Sequence, residues 1–394
     1  MTPAARYAAA IAVLDQIVAG APAERSLTTW ARTNRFAGSG DRAAIRDHVY
    51  DALRARRTLA AMGGSDTGRG LVLGLLRRAG ILPDTIFGAG GYAPSALTDS
   101  EKLPAESSPT PAQAADLPDW LWPIWQESLG DDAMGAADRL RDRAGVFLRV
   151  NLHRTSRGDA QASLASEGIA TVPVPNVETA LHVTDNPRKV ATSKAFRDGR
   201  IEIQDTASQI AISRLPLAQD MRVMDYCAGG GGKALAIADH LNAPVWAHDI
   251  DTARMADIAP RAARAGSTIK ILNTSQLPKT ASFDLVFCDA PCSGSGTWRR
   301  APDAKWRLTP DRLADLVALQ QDVLTAAARH VVPGGVLAYA TCSVLKQENR
   351  DAISTFRQDH PDWDLRDEMT LIPQAAHDGF YLAILQDLGR NGRS

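Results

Sequence analysis

From about Thr206 to the C-terminus, short apolar runs alternate with longer stretches of helical periodicity, and this alternation limits the possible folds more than any other feature. Residues 222–227, 245–250, 269–272, 283–289 and 336–340 read as strands. A glycine cluster and a helix follow the first, a helix carrying Arg254 follows the second, and a long helix over 310–330 precedes the fifth. Such alternation implies an α/β fold with a parallel sheet covered by helices on both faces. Folds of this kind bind ligands beyond the carboxyl ends of their strands. Here those ends carry Cys227, Asp249, Asp289 and Thr341-Cys342, so the chemically unusual residues share one edge.

The rest of the chain has a different character. Residues 1–85 read as all-helical: Tyr7, Ile11, Leu14 and Val18 lie at helical spacing, as do Ile45, Val49 and Leu53, and an apolar stretch runs over 71–76. Residues 86–116 are rich in Gly, Pro, Ser and Ala with little periodicity, which predicts a linker. Residues 117–205 predict a small α+β subdomain, with an aromatic helix start at Trp120, Leu121, Trp122, Ile124 and Trp125, a strand over 147–151, a helix over 159–167 and a strand over 200–203. Residues 206–394 form the main α/β domain.

Composition removes several classes. With 394 residues, 45% hydrophobic and 23% charged, the chain is not intrinsically disordered. Its 44 Lys+Arg and 45 Asp+Glu give a net charge of -1, which argues against coating nucleic acid through bulk positive charge. The balance conceals a local excess: in the first 80 residues arginines, including Arg32, Arg35, Arg42, Arg46, Arg54, Arg56, Arg57, Arg77 and Arg78, outnumber acids about two to one. That is either a solvated helical surface or a basic face for RNA. The four cysteines, Cys227, Cys288, Cys292 and Cys342, are too few for a disulfide scaffold. They form no C-x-x-C pair and have no partnering histidines, so no metal site is expected. No apolar run is long enough to cross a bilayer, and Asp15 interrupts the first apolar stretch, which reads as an amphipathic helix rather than a signal peptide. A cytoplasmic protein with reduced thiols and no membrane partner is expected.

The cluster Asp225-Tyr226-Cys227-Ala228-Gly229-Gly230-Gly231-Gly232-Lys233 joins a strand to a helix. Glycines there let the backbone approach a ligand, and the helix N-terminus offers free N–H groups. A Walker A loop would need Gly in place of Cys227 and Ser or Thr in place of Ala234, so that reading is poor. Gly229, Gly231 and Ala234 do match a dinucleotide fingerprint. The cluster also suits S-adenosylmethionine, with Asp249 accepting both ribose hydroxyls. Asp249 serves NAD equally well, so this half of the domain leaves both cofactors open.

The two cysteine motifs decide. Asp289-Ala290-Pro291-Cys292-Ser293-Gly294-Ser295-Gly296 follows one strand and Thr341-Cys342-Ser343 the next. Neighbouring parallel strands lie about 5 Å apart, so Cys292 and Cys342 can face one pocket, whereas Cys288 reads as a buried core residue. Two such thiols suit covalent catalysis at a pyrimidine. Carbon-5 of cytosine is a poor nucleophile until a thiolate adds to carbon-6 and turns the ring into an enamine-like adduct. Carbon-5 then attacks a methyl sulfonium, a base removes the carbon-5 proton, and the thiol leaves. The chemistry requires an activated thiolate and an acid at ring nitrogen-3, a task Asp289 suits.

These motifs, with Glu348-Asn349, Gln204-Asp205-x-Ala207-Ser208 and Asp378-Gly379-Phe380, resemble those of RNA cytosine-5 methyltransferases, above all the bacterial Fmu/Sun (RsmB-like) ribosomal RNA enzymes. The likeness runs from about Leu117 to the end. More weakly, Gly40-Asp41-Arg42 with Val49 and Leu53-Arg54 resembles a NusB-like helical RNA-binding domain. The resemblance implies a Rossmann-like, S-adenosyl-L-methionine-dependent domain acting on ribosomal RNA or a ribosomal particle, as a monomer. It implies that Cys342 is the nucleophile, that Cys292 assists product release, and that Asp289 and Lys233 hold the cytosine. It further implies a cofactor site made by Cys227, Ala228, Gly229, Gly230, Gly231, Gly232, Lys233, Asp249, Arg254, Asn273 and Asp289. Arg299, Arg300 and Lys305 are expected to meet RNA phosphates. Two departures stand out: the family's Ala-Ala-Pro-Gly-Gly-Lys loop lacks its proline here, which should loosen it, and Asn273 replaces an Asp near the adenine. The competing readings are a non-catalytic RNA-binding assembly factor on a degenerate methyltransferase fold and, more remotely, a nicotinamide-dependent dehydrogenase.

Overall fold

The computed structural model describes residues 1–103, 109–277, 279 and 281–389. The chain forms two compact units, Met1–Arg143 with Trp298–Pro310, and Ala144–Thr297 with Asp311–Ser394. Among the described residues no helix is long and apolar enough to cross a membrane.

The first unit is helical. Its principal N-terminal helices are Pro3–Val18, Ala23–Thr33, Ser39–Arg54, Arg56–Gly63 and Gly68–Arg78. Thr2 starts the first by accepting a hydrogen bond from the Ala5 N–H at 3.2 Å, just before a proline whose fixed φ suits the first turn. Tyr7, Ala10, Val13, Leu14 and Ile17 bury one stripe of this helix against Ile45, Val49, Leu53 and Leu71–Leu76.

Two expectations about boundaries change. Residues 86–116 are not a bare linker: Ile86, Phe87, Ala112 and Ala115 are buried, and the Arg69 guanidinium lies 4.7 Å from the Phe87 ring centre while pairing with Glu101. Residues 104–108 of that stretch lie outside the described residues. Nor does the first unit stop at 117. Buried Asp116 accepts hydrogen bonds from the Thr58 N–H and hydroxyl, and Arg57 donates to the Leu117 carbonyl and Asp119. The helix Leu121–Leu129 is therefore anchored among the N-terminal helices.

The first unit also claims Trp298–Pro310, far downstream in sequence. Trp298 stacks on Trp125 with ring centres 5.9 Å apart. Arg54 Nε donates to the Arg299 carbonyl at 2.7 Å, and Trp306 Nε1 to the Leu53 carbonyl at 2.7 Å. Arg299 and Lys305 are each only 1% exposed, which corrects the expectation that they meet RNA phosphates. A cation so enclosed cannot reach a phosphate without unfolding its surroundings. Of the three expected contacts, Arg300 is exposed.

The second unit holds two sheets. The smaller comprises β1 (Val146–Val150), β2 (Thr171–Pro173), β3 (Ala180–Val183) and β4 (Ile201–Ile203), all antiparallel in the order β2-β3-β1-β4, with the helix Arg157–Ser166. This is a ferredoxin-like arrangement. The larger comprises β5 (Val223–Asp225), β6 (Val245–His248), β7 (Ile269–Leu272), β8 (Phe283–Asp289), β9 (Val331–Thr341), β10 (Trp363–Leu371) and β11 (Phe380–Asp387). Its order is β10-β11-β9-β8-β5-β6-β7. The five strands from β9 to β7 run parallel, and β11 runs antiparallel to both its neighbours. The expected Rossmann-like, mostly parallel sheet is present, with two strands added at the C-terminus.

Lys305 makes a stability prediction. Burial lowers its pKa to about 8, against the favourable charge of Asp116 and with the unfavourable charge of Arg141. Below that value the folded state carries a desolvated ammonium. Between about 8 and the usual lysine value near 10.4, the unfolded chain binds more protons, so stability from this group rises with pH. Lys305→Met should therefore melt above the wild type at pH 7, and the gap should narrow as pH rises from 8 to 10 in calorimetry. A gap independent of pH would contradict this.

Candidate functional site

The site begins with strand register. β8 pairs with β9 so that Asp289 lies opposite Ala340, and the Ala290 N–H donates to the Ala340 carbonyl at 2.9 Å just beyond the ladder. Both chains then leave the sheet side by side, and Cys292 Sγ comes to 3.4 Å from Cys342 Sγ. The loop after β8 is tied down by the Gly296 N–H, which donates to the Cys342 carbonyl at 2.9 Å. The Gly379 N–H in turn donates to the Gly296 carbonyl at 2.9 Å. A Cβ on Gly296 would stand 2.5 Å from the Gly379 carbonyl oxygen, so this crossing admits only glycine.

Electrostatics separate the two thiols. Lys233 Nζ pairs with Asp289 Oδ2 at 2.6 Å. Burial alone disfavours the Lys233 ammonium, but the charge and hydrogen bond of Asp289, with Cys342 and Asp225, outweigh it and hold the pKa above the lysine norm. A hydrogen bond from Cys292 lowers the pKa of Cys342, opposed by burial and by Asp289, and assisted by Lys233 and the Thr297 hydroxyl. The same hydrogen bond, then burial, then the charges of Cys342, Glu348 and Asp289 push Cys292 well up. Of the two sulfurs, Cys292 therefore holds a proton more tightly and Cys342 gives one up more readily. Cys288 is fully buried, 4.0 Å from Cys227 Sγ, with its pKa also raised.

Beside the thiols lies the glycine loop. Gly229 and Gly231 have φ of +49° and +77°, and a Cβ on Gly231 would stand 2.7 Å from Ile258 Cγ1. The loop is not slack despite its missing proline. The Gly229 N–H donates to Asp249 Oδ2 at 2.9 Å, the Gly231 N–H to the Ala228 carbonyl at 2.8 Å, and Gln204 Nε2 to the Gly232 carbonyl at 3.1 Å. Arg261 also donates to the Gly230 carbonyl. Asp249, 2% exposed, accepts from the Asp251 N–H and pairs with Arg254 at 3.1 Å. Asn273 ends β7 in an exposed turn, where its N–H donates to Gln276 at 2.9 Å.

Asp225, at the end of β5, had no role assigned from sequence. Among the described residues its buried carboxylate oxygens have no side-chain hydrogen-bond partner, and burial, then Asp289, push its pKa up to about 7 against the Lys233 charge and the Ala234 N–H. The strand ends thus offer the carboxyls of Asp225, Asp249 and Asp289. An acidic basin suits a cationic ligand that also presents hydroxyls, and opposes a diphosphate. The glycine loop, the orphaned Asp225 oxygens and Asp249 therefore fit a sulfonium nucleoside better than a nicotinamide dinucleotide. Thr297, which bears on Cys342, also escaped sequence reasoning, because four residues of a Ser/Gly turn separate it from Cys292.

The two outlying motifs meet this region. Asp205 Oδ1 accepts from the Ala207 N–H at 2.9 Å and from the Asp378 N–H at 3.0 Å. Lys233 Nζ lies 5.4 Å from the Phe380 ring centre. In the helical unit, several arginines are already engaged: Arg54 with Asp51, Arg56 with Asp66, Arg57 with Asp119, and Arg77 with the Met62 and Glu101 carbonyls. The exposed side chains of Arg32, Arg35, Arg42, Arg46 and Arg78 form no hydrogen bond or ion pair among the described residues.

Residues 212–386 match the family model of 16S rRNA methyltransferase RsmB/F, and residues 117–190 that of the ferredoxin-like domain of RsmF/B-like methyltransferases. The ribosomal RNA small subunit methyltransferase B of Vibrio cholerae is 32% identical over 300 residues, 73% of this chain and 69% of the relative. A probable ribosomal RNA small subunit methyltransferase B of Synechocystis is 30% identical, covering 68% of this chain and 66% of the relative. The match to a curated relative from Klebsiella pneumoniae spans 59% of that relative's length. Among solved structures, PH0851 superposes with a TM-score of 0.73 at 24% identity, over 98% of this chain and 99% of that one. NSun6 from Pyrococcus horikoshii superposes with a TM-score of 0.62 at 17% identity, over 69% and 98%. These two likenesses concern the fold.

The glycine crossing gives a prediction. Gly296→Ala must push two backbones apart, a strain of about 1–3 kcal/mol, and should lower the melting temperature while weakening any thiol chemistry. An unchanged melting temperature would mean the crossing is looser than it looks.

Proposed function

Because the chain belongs to the RsmB/F family of ribosomal RNA methyltransferases, we propose that it methylates carbon-5 of a cytosine in ribosomal RNA through a covalent adduct on Cys342. The observation that carries this reading is the 3.4 Å approach of Cys292 and Cys342 at adjacent strand ends, next to the Lys233–Asp289 ion pair. Nothing in dinucleotide chemistry calls for two thiols there.

S-adenosyl-L-methionine supplies an electrophilic methyl group when bound, and the residues that would hold it are the loop from Cys227 to Gly232, Asp225 and Asp249. Arg254 pairs with Asp249 and would shift as the ribose hydroxyls engage that carboxylate. Cys342 adds as thiolate to carbon-6, its negative charge favoured by Lys233 and by hydrogen bonds from Cys292 and Thr297. Asp289, oriented by Lys233, would accept a hydrogen bond from ring nitrogen-3 once that nitrogen has taken up a proton from solvent as carbon-6 is attacked. Once carbon-5 is methylated, its proton passes to solvent water as the carbon-5–carbon-6 double bond re-forms and the bond to sulfur breaks; Cys342 leaves as thiolate, and the Cys292 thiol would assist by hydrogen-bonding the departing sulfur. The target base must be unpaired or flipped out, since carbon-6 is shielded in a stacked helix. Arg32, Arg35, Arg42, Arg46, Arg78 and Arg300 are the exposed cations through which the helical unit would meet phosphates in a NusB-like role.

Cys342→Ala should abolish methyl transfer to ribosomal RNA. Cys292→Ala should leave the protein linked to RNA, as a band of reduced mobility on a denaturing gel. Bisulfite sequencing of ribosomal RNA from a deletion strain should show one lost methylcytosine. Full activity in Cys342→Ala, or an unchanged bisulfite pattern, would overturn the reading.

A further inference from the structure

Six residues beyond Cys342, in the turn Lys346–Glu348, a carboxylate is fully buried, and its side-chain hydrogen-bond partners among the described residues are neutral. Glu348 Oε1 accepts from the Ser293 N–H at 2.7 Å and from Gln320 Nε2 at 3.1 Å. Its Oε2 accepts from the Ser293 and Ser343 hydroxyls, each at 2.5 Å. Ser293 follows Cys292 and Ser343 follows Cys342, so a single carboxylate grips the residue next to each thiol. Gln320 also donates to the carbonyl of Pro291, the residue before Cys292, at 2.9 Å. The backbone of Glu348 is fixed in turn, since the Tyr339 hydroxyl donates to its carbonyl at 2.7 Å. Asn349 completes the frame, accepting from the Thr341 hydroxyl at 2.6 Å and donating to the Ser343 carbonyl at 2.9 Å.

A buried carboxylate without a cation is costly, and two loops could be joined by neutral groups alone. The charge itself therefore calls for a purpose. We propose that Glu348 is a positioning residue of the thiol pair, a buried negative charge that ties the loop after β8 to the loop after β9 and sets the two thiols in different roles. The use of those thiols rests on the covalent reading above; the positioning does not.

The charged and titratable groups around the pair all bear on this. Cys292 faces Cys342, Glu348 and Asp289, whose negative charges hold its proton on. Cys342 faces Cys292, Asp289, Lys233 and the Thr297 hydroxyl, and of these Lys233 is the cation. Tyr339 lies between Cys288, Cys292 and Glu348 and is kept un-ionised by burial. Glu348 and Lys233 thus act on opposite members: one keeps the Cys292 proton, the other draws off that of Cys342. Without the charge of Glu348 the proton on Cys292 would be held less tightly, and the difference between the two sulfurs would narrow.

Site-resolved alkylation reads this directly, without RNA or cofactor. The full-length protein is treated with iodoacetamide from pH 6 to 9, and each cysteine peptide is quantified by mass spectrometry. In the wild type, Cys342 should react at pH 7, Cys292 only at higher pH, and Cys288 hardly at all. Glu348→Gln keeps the shape and most hydrogen bonds but removes the charge. It should raise Cys292 alkylation at pH 7 about tenfold, the change in thiolate fraction that accompanies a tenfold shift in acidity, while Cys288 stays protected. A merely structural role would expose Cys288 as well, or lower the melting temperature without altering the ratio of Cys292 to Cys342. Ser293→Ala, which removes one hydroxyl arm, should move the same ratio in the same direction by less, and it serves if Glu348→Gln does not fold. An unchanged ratio in whichever variant folds overturns the proposal. Loss of methyl transfer in Cys342→Ala is a separate test, so the covalent reading and the positioning of the thiols can fail independently.

Discussion

The parallel pairing of β8 with β9 is the constraint on which the rest of the structure depends. Asp289 opposite Ala340 places the next residues of both chains beyond the sheet at the same height, so two cysteines 50 positions apart in sequence emerge as neighbours. The pairing can be this definite because both strands are buried: Phe283, Leu285, Val286, Phe287 and Cys288 on one, Leu337, Ala338, Tyr339 and Ala340 on the other. A slip of one residue would send each of these side chains to the wrong face. The core thus determines the separation of the two sulfurs, and the glycine crossing of Gly296 and Gly379 closes the loop over them.

On that frame the charges are distributed unevenly. Three carboxyls stand at the ends of β5, β6 and β8, and among the described residues Lys233 pairs with Asp289 and Arg254 with Asp249. Burial, above all, drives Asp225 toward its neutral form, against the charge of Lys233 and the Ala234 N–H. A cationic donor arriving at these strand ends would compete with Arg254 for Asp249 and favour the charged form of Asp225. Close to it, a single ammonium favours one thiolate over another. The same strand ends therefore bring together the carboxyls that would receive a cationic donor and the lysine that lowers the pKa of Cys342.

Much of the second unit was legible from sequence. Strands that are buried on both faces read as short apolar runs, and five of the seven in the larger sheet were anticipated, with the reactive residues at their carboxyl ends. β10 was hidden because it is an edge strand carrying Asp364, Arg366, Asp367 and Glu368, the charges that keep edges from pairing further. The fate of Trp298–Pro310 was hidden for a different reason. Arg299, Arg300 and Lys305 look like a basic surface loop, and only the tertiary arrangement shows Trp298 stacked on Trp125 and two of the three cations enclosed. Asp225 and Thr297 illustrate a third limit. Their importance lies in what they touch across the fold, and no periodicity records that.

The central claim is that Cys342 forms a covalent bond to carbon-6 of a cytosine while Cys292 remains the protonated partner. Ribosomal RNA carrying 5-fluorocytidine tests it most directly, because fluorine at carbon-5 cannot be removed as a proton and so arrests the adduct. Incubated with the enzyme and S-adenosyl-L-methionine, it should yield a stable protein–RNA species whose mass-spectrometric digest places the nucleotide on the peptide containing Cys342. A nucleotide on Cys292, or no covalent species at all, would contradict the account.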